Sequence, residues 1–528
     1  MNLSPGTFLL TALLFFGAVA YTSYLGHKKT TNALDLTVGG RNMGGLFIAL
    51  SYGASLVSTS AIVGFGGVAG LYGYSLYWGI FGNMLVGTLI AFTVFGPRVR
   101  QLGEELGAQS FPELLGKRFN SPLLQRSVAL IIFVFLPAYT SIILIGGANF
   151  MSGAIGIEFR TSLLIIASIV LLYVLYGGLI GVIYTDALLA VVMFISALLL
   201  LITLISRLGG ITNAHEILNS ITHLIPQALQ DQGHQGWTSM PVTGSPIWWS
   251  VMSTLVLGIT IGTLAQPHLQ VKFMAVKNRK NLYIGIVGAA IFIWMLTGGS
   301  VLAGIFSNAY FYLEKGQIAL EAAGGNVDMI IPQLIASMMP EWFVYLFLFG
   351  LLAATLSSTA SLLHLQGVAL GKDILALRKN EKSTRPKTMI QWGTAAGLVL
   401  AVILAFVLPS NIIARATVFW FGLCAICWLP SFIGALFWKG STKEGALASL
   451  YTGLIFTLFW YVFIKASEAI PLGISKALTG KEVLLGHPFR TMDPLILGIP
   501  LTTLVFVVVS LVSARQQKKE DQGASNAA

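Results

Sequence analysis

Charge is scarce in this chain. Only 10% of its 528 residues are Asp, Glu, Lys or Arg, against about 25% in an average soluble domain; 55% are hydrophobic, and the mean hydropathy is +0.81. That composition excludes a soluble globular enzyme and describes a polytopic membrane protein. Cysteine is nearly absent. Cys424 and Cys427 are the whole complement, which excludes a disulfide framework. With no His near them in sequence, they read as small core residues rather than ligands of a soft metal. Long polar stretches are missing too: the connections 208–246 and 307–341 are too short to fold as separate domains. The net charge of +11 does not indicate a nucleic-acid partner, because the basic residues lie in short connections between apolar runs and read as topology signals. Neither a pair of in-span histidines suited to haem nor a repeated carbonyl filter is visible, which argues against a respiratory subunit or a channel.

Apolar windows of about 20 residues predict about thirteen transmembrane helices, near 6–25, 44–70, 76–96, 124–150, 160–177, 179–207, 247–268, 282–306, 342–370, 388–408, 412–438, 444–465 and 493–514. Alternate connections hold the Lys and Arg: Lys28, Lys29 and Arg41; Arg98, Arg100, Lys117 and Arg118; Lys272, Lys277, Arg279 and Lys280; and Lys372, Arg378, Lys379, Lys382, Arg385 and Lys387. These are expected on the cytoplasmic side. Loop 208–246 has no Lys or Arg, and 307–341 has Glu314, Glu321, Asp328 and Glu341 against Lys315, so both are expected outside. The N-terminus is then outside and the C-terminus cytoplasmic, in a multi-pass protein of the plasma (inner) membrane. Ala18-Val19-Ala20 resembles a cleavage site, but Met1–Pro5 lacks a positive n-region, so the first segment is expected to be a retained span. From Asp328 to Met339 a short interfacial helix, stopped at Pro340, is expected as an outer lid.

Within one apolar run, Ala353-Ala354-Thr355-Leu356-Ser357-Ser358-Thr359-Ala360-Ser361 concentrates hydroxyls. At helical spacing Ala354, Ser357, Ser358 and Ser361 share one face. Such a face suits either a hard cation with oxygen ligands or a close-packing seam. Two spans carry interruptions, at Ser51–Ser55 with Gly64–Gly67 and at Gly258–Thr263 before Gln266-Pro267-His268. Corresponding interruptions in two halves point to an inverted-repeat transporter with its site near the midplane. Asp186 follows Gly177-Gly178 and is expected roughly 12 Å into its span at 1.5 Å per residue. A carboxylate at that depth marks an ion path, and its neutral amide is expected to be the cheaper group to bury. His364 reads as packed or water-facing rather than as a proton relay.

Several elements resemble one family in order and spacing, from about residue 35 to 455. They are Gly177-Gly178 with Val182-Ile183-Tyr184-Thr185-Asp186, Gln266-Pro267-His268 running into Val271-Lys272-Phe273-Met274-Ala275, Ala353-Ala354 to Ser357-Ser358 ending in Asp373-Ile374, and Phe437-Trp438-Lys439 with Gly445-Ala446. The chain is thereby similar to the sodium/solute symporters, the family of the sodium/proline, sodium/pantothenate and sodium/glucose symporters. The resemblance implies an all-α leucine-transporter fold with a 5+5 inverted repeat. Residues 1–43 would form an extra helix and loop, 44–438 a ten-helix core with repeats at about 44–207 and 247–438, and 439–528 two extra helices and a tail. It implies Na+ as coupling ion, held by carbonyls of Ala54, Val57 and Ala354 and the hydroxyls of Ser357 and Ser358. A second sodium or a coupling role would fall to Asp186 and Ser361, with Ala360 leaving one ligand position vacant. Solute contacts would come from Ser58, Ser60, Tyr139, Thr260 and Thr263. Tyr139 matches a substrate-contacting tyrosine of the sodium/proline symporter, whereas Ile259 and Thr263 stand where that protein has aromatics.

The expected function is sodium-coupled import, by alternating access, of a small organic solute. A carboxylate of the monocarboxylate, pantothenate or proline kind fits best. A proton-coupled symporter of the same fold, or a symporter-like membrane sensor without transport, are the alternatives. The partners are the solute and the lipid bilayer, with no nucleic acid and no obligatory protein partner. The topology is testable with single cysteines, Ser239→Cys and Ser383→Cys, in a background lacking Cys424 and Cys427. An impermeant thiol reagent on intact cells is expected to label the first and spare the second; labelling of the second alone would reverse the orientation.

Overall fold

A computed structural model describes residues 5–376, 386–409 and 413–527. Arg378, Lys379, Lys382 and Arg385, counted above among the cytoplasmic signals, and Ser383, the labelling position, lie outside the described residues. Eleven helices there are long and apolar enough to cross a membrane. Two of these runs are of double length. Phe159–Arg207 has 49 residues, about 74 Å at 1.5 Å per residue, more than twice a hydrocarbon core of about 30 Å. It is broken at Gly178, whose φ of 56° and ψ of −162° suit a residue without Cβ. Ser60–Glu105 is broken likewise at Gly73.

The helices that matter for the site are α1 (Pro5–Lys29), α2 (Gly45–Leu56), α3 (Phe65–Tyr72), α4 (77–105), α5 (Pro122–Ile155), α6 (Phe159–Arg207), α7 (Leu257–Leu264) and α8 (Pro267–Ala275). They continue with α9 (Gly299–Lys315), α10 (Ile330–Met338), α11 (Glu341–Val368), α12 (Ile413–Phe437), α13 (Lys443–Phe463) and α14 (Leu495–Ala527). Burial separates centre from rim. The spans holding α11 and α12 are 94% and 89% buried over their most apolar windows, against 22% for α1 and 28% for α14. In water a helix buried all round must be apolar all round; α11 instead carries its hydroxyls inward, where other helices receive them.

The breaks fall beside, not within, the glycine-rich stretches expected to cause them. The helix runs unbroken through Ser51–Ser55 and opens at Val57, with φ −89° and ψ 84°. Gly64–Gly67 lies in helical backbone and serves close approach: a Cβ on Gly67 would stand 2.1 Å from the Val327 carbonyl oxygen. The segment 327–338, a 3-10 turn followed by α10, rests there. In the second half Gly258–Thr263 is helical, and the chain opens at Ala265-Gln266, after which Pro267 starts α8. Proline suits that first position because its missing N–H would have no partner there. Side chains satisfy the freed carbonyls: Trp428 Nε1 donates to Ala265 O at 2.7 Å and Gln270 Nε2 to Leu264 O at 2.7 Å. The starts and ends of the two broken elements are tied, since Met43 N donates to Ala275 O and Lys277 N to Met43 O, both at 3.0 Å.

Candidate functional site

The opening after α2 leaves the last carbonyls of that helix without successive N–H partners, and α11 lies across them. Ser358 Oγ stands 3.3 Å from Ala54 O and 3.2 Å from Ser55 O. Ala54, Val57, Ala354, Ser357 and Ser358 are all fully buried. Hydroxyl and carbonyl oxygens of two helices thus converge in a space closed to water, which is the donor set a hard cation takes.

A second cluster adjoins it. Ser357 Oγ donates to Asp186 Oδ1 at 2.6 Å, and Ser51 and Ser55 donate to Oδ2 at 2.6 and 3.1 Å. Ser361 Oγ is 2.7 Å from Ser55 Oγ. The stripe on α11 therefore faces α2 and α6. Lys272 Nζ also lies here, 3.0 Å from Asp186 Oδ2, 2.6 Å from both the carbonyl and the hydroxyl oxygen of Ser51, and bonded to Ser55 Oγ. The side chains of Lys272 and Asp186 are 1% and 0% exposed.

This overturns one expectation from the sequence. Lys272 is not a loop charge; α8 continues helical past it and turns it inward. The signal was available: Pro267 opens a helix, and Leu269, Val271, Phe273 and Met274 around the lysine are apolar. The roles of Ser51 and Ser55 were missed with it. Asp373, at the end of the quoted α11 motif, accepts from Ser110 Oγ at 2.9 Å and Gln125 Nε2 at 2.8 Å, and so fastens that end of the element to α5.

A small cavity of about 40 Å³ lies where α2, α4, α5, α7 and α12 meet. Ser58 and Tyr139 line it, together with Asn83, Ile259 and Phe421. That is far below the ~300–1,000 Å³ of small-ligand pockets, so the walls are drawn together. The other three expected solute contacts are not on this wall. Thr260 and Thr263 pack against α4, where a Cβ on Gly82 would meet Thr260 Oγ1 at 2.1 Å and one on Gly87 would meet Thr263 Cγ2 at 2.9 Å. Thr263 bonds back to Ile259 O at 2.7 Å. The Ser60 hydroxyl is buried with no hydrogen-bond partner among the described residues. Asn83 was missed, though one amide in the apolar run from Tyr77 to Phe95 is a visible signal.

Comparison with known proteins adds to this geometry. A family model described as the sodium:solute symporter family matches residues 37–453. The osmoregulated proline transporter OpuE of Bacillus subtilis is 28% identical over 96% of this chain and 94% of its own length. Sodium/proline symporter 2 of Staphylococcus saprophyticus is 28% identical over 87% and 86%. Among solved structures, a Na+-coupled sialic acid symporter in a substrate-bound outward-open state superposes with a TM-score of 0.69 at 17% identity, over 95% of this chain and 97% of the other.

The ion pair sets a stability prediction. Asp186→Asn leaves the Lys272 ammonium buried without a counter-charge, and breaking such a pair costs about 3–5 kcal/mol. The amide is therefore not the cheaper group here. Lys272→Met combined with Asp186→Asn is expected to recover most of that loss. Thermal unfolding of the purified single and double variants checks it, and equal melting of Asp186→Asn and the parent would contradict the pairing.

Proposed function

Because the chain belongs to the sodium:solute symporter family, a multi-pass secondary transporter and not an enzyme, we propose that it imports a small carboxylate-bearing organic solute with sodium by alternating access. The observation that carries this is the meeting of Ser358 with the Ala54 and Ser55 carbonyls at the break of α2. Sodium bound by Ala54, Val57, Ala354, Ser357 and Ser358 holds α11 against α2. It thereby favours the arrangement of Ser58 and Tyr139 that receives the solute, and a linkage of 1–3 kcal/mol is typical for such coupling. When α2 and α11 part, the ion loses its ligands and leaves together with the solute.

The names of the proline-transporting relatives make proline the first solute to test, although Ile259 on the cavity wall gives it an aliphatic rather than an aromatic neighbour. A second sodium at Asp186 and Ser361 would stand beside the Lys272 ammonium, and like charges at that spacing oppose each other strongly where water is excluded. We therefore assign one sodium per solute. The N-terminus is placed outside and the C-terminus in the cytoplasm, and the ten-helix core spans 44–438, between the extra helix of 1–43 and the two of 439–528.

Uptake into proteoliposomes, with and without a sodium gradient, is expected for one of L-proline, pantothenate and propionate and not for glucose. Ser357→Ala and Ser358→Ala are each expected to raise the half-saturating sodium concentration about tenfold or more, equivalent to 1.4 kcal/mol, while Ser358→Thr stays near the parent. A packing seam predicts no change, because Ala packs as closely as Ser. Equal sodium titrations for both alanine variants and the parent would sink the sodium site.

A further inference from the structure

A larger cavity, about 290 Å³, opens at the end of the molecule that carries loops 208–246 and 316–341. It approaches the 300–1,000 Å³ range of small-ligand pockets. Its walls continue those of the small central cavity. Phe65, Ile259 and Thr417 line the inner space, and Val68, Leu255 and Ala414 line the outer one, three or four residues further along the same helices, about one helical turn. The two spaces are stacked along a single path.

The outer cavity is built with charge of both signs. Arg415 and Arg490 line it and are exposed. Arg415 makes a long 3.4 Å bond to Ser467 O, and among the described residues neither guanidinium has an ion-pair partner. Lys465 also lines it, but that ammonium is already bound to Asp493 at 2.7 Å and Thr254 at 3.2 Å. Asp328 also lines it, 6% exposed, its Oδ2 accepting from Ile413 N at 3.5 Å, two residues before Arg415 in α12. Burial pushes its carboxyl up to about 6, against the opposing pull of Ile413 N–H and Arg415. The cations also run against the topology bias: the connection 464–494, placed outside by the charge pattern of the other loops, holds Lys465, Lys476, Lys481 and Arg490, where that pattern calls for few.

We propose that this cavity is a capture site for an amino-acid zwitterion, its carboxylate held by Arg415 and Arg490 and its primary or secondary ammonium by Asp328, from which the solute passes inward by one helical turn to the cavity of Ser58 and Tyr139. Planar guanidinium groups hold carboxylates through paired N–H donors, and Asp328 adds an acceptor for a cationic nitrogen that a simple monocarboxylate does not have. The proposal rests on the transport function above and narrows its solute class.

The test is the reactivity of Ser467→Cys, an exposed position on the cavity wall, toward an impermeant thiol reagent in purified full-length protein. Cys424 and Cys427 are buried and contribute no background. L-proline or L-alanine is expected to slow labelling at millimolar concentration. Propionate and pyrrolidinium are each expected to be at least about tenfold weaker. Protection is expected to persist with Asn83→Leu in the central cavity and to vanish with Arg415→Gln or Arg490→Gln, both exposed changes that the fold tolerates; Asp328→Asn is read only if it elutes as folded protein. No protection by either amino acid, equal protection by propionate, or protection surviving both arginine changes would each overturn the site. Sodium-driven uptake is measured in parallel: uptake without protection removes the capture site and leaves the transport function standing, and protection without uptake of any carboxylate does the reverse.

Discussion

A lysine ammonium with almost no access to water must have its whole hydration shell replaced by protein oxygens, and that requirement organises the centre of this molecule. Lys272 reaches its oxygens only if α8 brings it to α2, if α2 turns Ser51 and Ser55 toward it, and if α6 supplies Asp186. Asp186 in turn draws in Ser357 of α11. Four helices from both halves of the chain are thus fixed by one pair of charges. Such pairs seldom add net stability over apolar packing, but losing one member is severe. The arrangement therefore acts as a registration point more than as a source of stability. It also sets the neighbourhood of the oxygens around Ser358, since Ser357 and Ser358 are adjacent on the chain and serve the two clusters in turn.

What was legible in the sequence followed from the membrane as solvent. Apolar length gave the spans, because a backbone in hydrocarbon has to close its own hydrogen bonds. The hydroxyl stripe gave the inward face of α11, because spacing along a helix fixes which residues share a side. Lys272 was misread because a positive charge next to Lys277, Arg279 and Lys280 looks like a continuation of a loop, and only the helix start at Pro267 places it one turn deeper. Thr260 and Thr263 lie away from the small cavity for a different reason. A hydroxyl near a helix break suggests a ligand, yet the glycines of α4 that receive these side chains are far away in sequence, and no local pattern reveals that partnership. Asn83 was legible by contrast, as the one amide in the apolar run from Tyr77 to Phe95. The two double-length helices hide chain reversals that turn on the backbone angles of Gly73 and Gly178 rather than on any loop.

The rim has its own logic. α13 and α14 meet the core through Lys465 and Asp493, whose carboxylate also accepts from Tyr461 at 3.1 Å, while the Asp493 N–H reaches Ser253 at 2.9 Å in the run that leads into α7. The connection between these two peripheral helices therefore touches the half of the broken span that lines both cavities. A part of the chain beyond the matched family region, which closes at residue 453, is in this way joined to the walls of both cavities.

The pairing of Met43 with Ala275 and Lys277 has a mechanical consequence. It rivets the leading end of one broken element to the trailing end of the other, so neither half-helix can swing alone. At the end of the molecule where they meet, the two half-helices present one tied corner in place of two independent flaps.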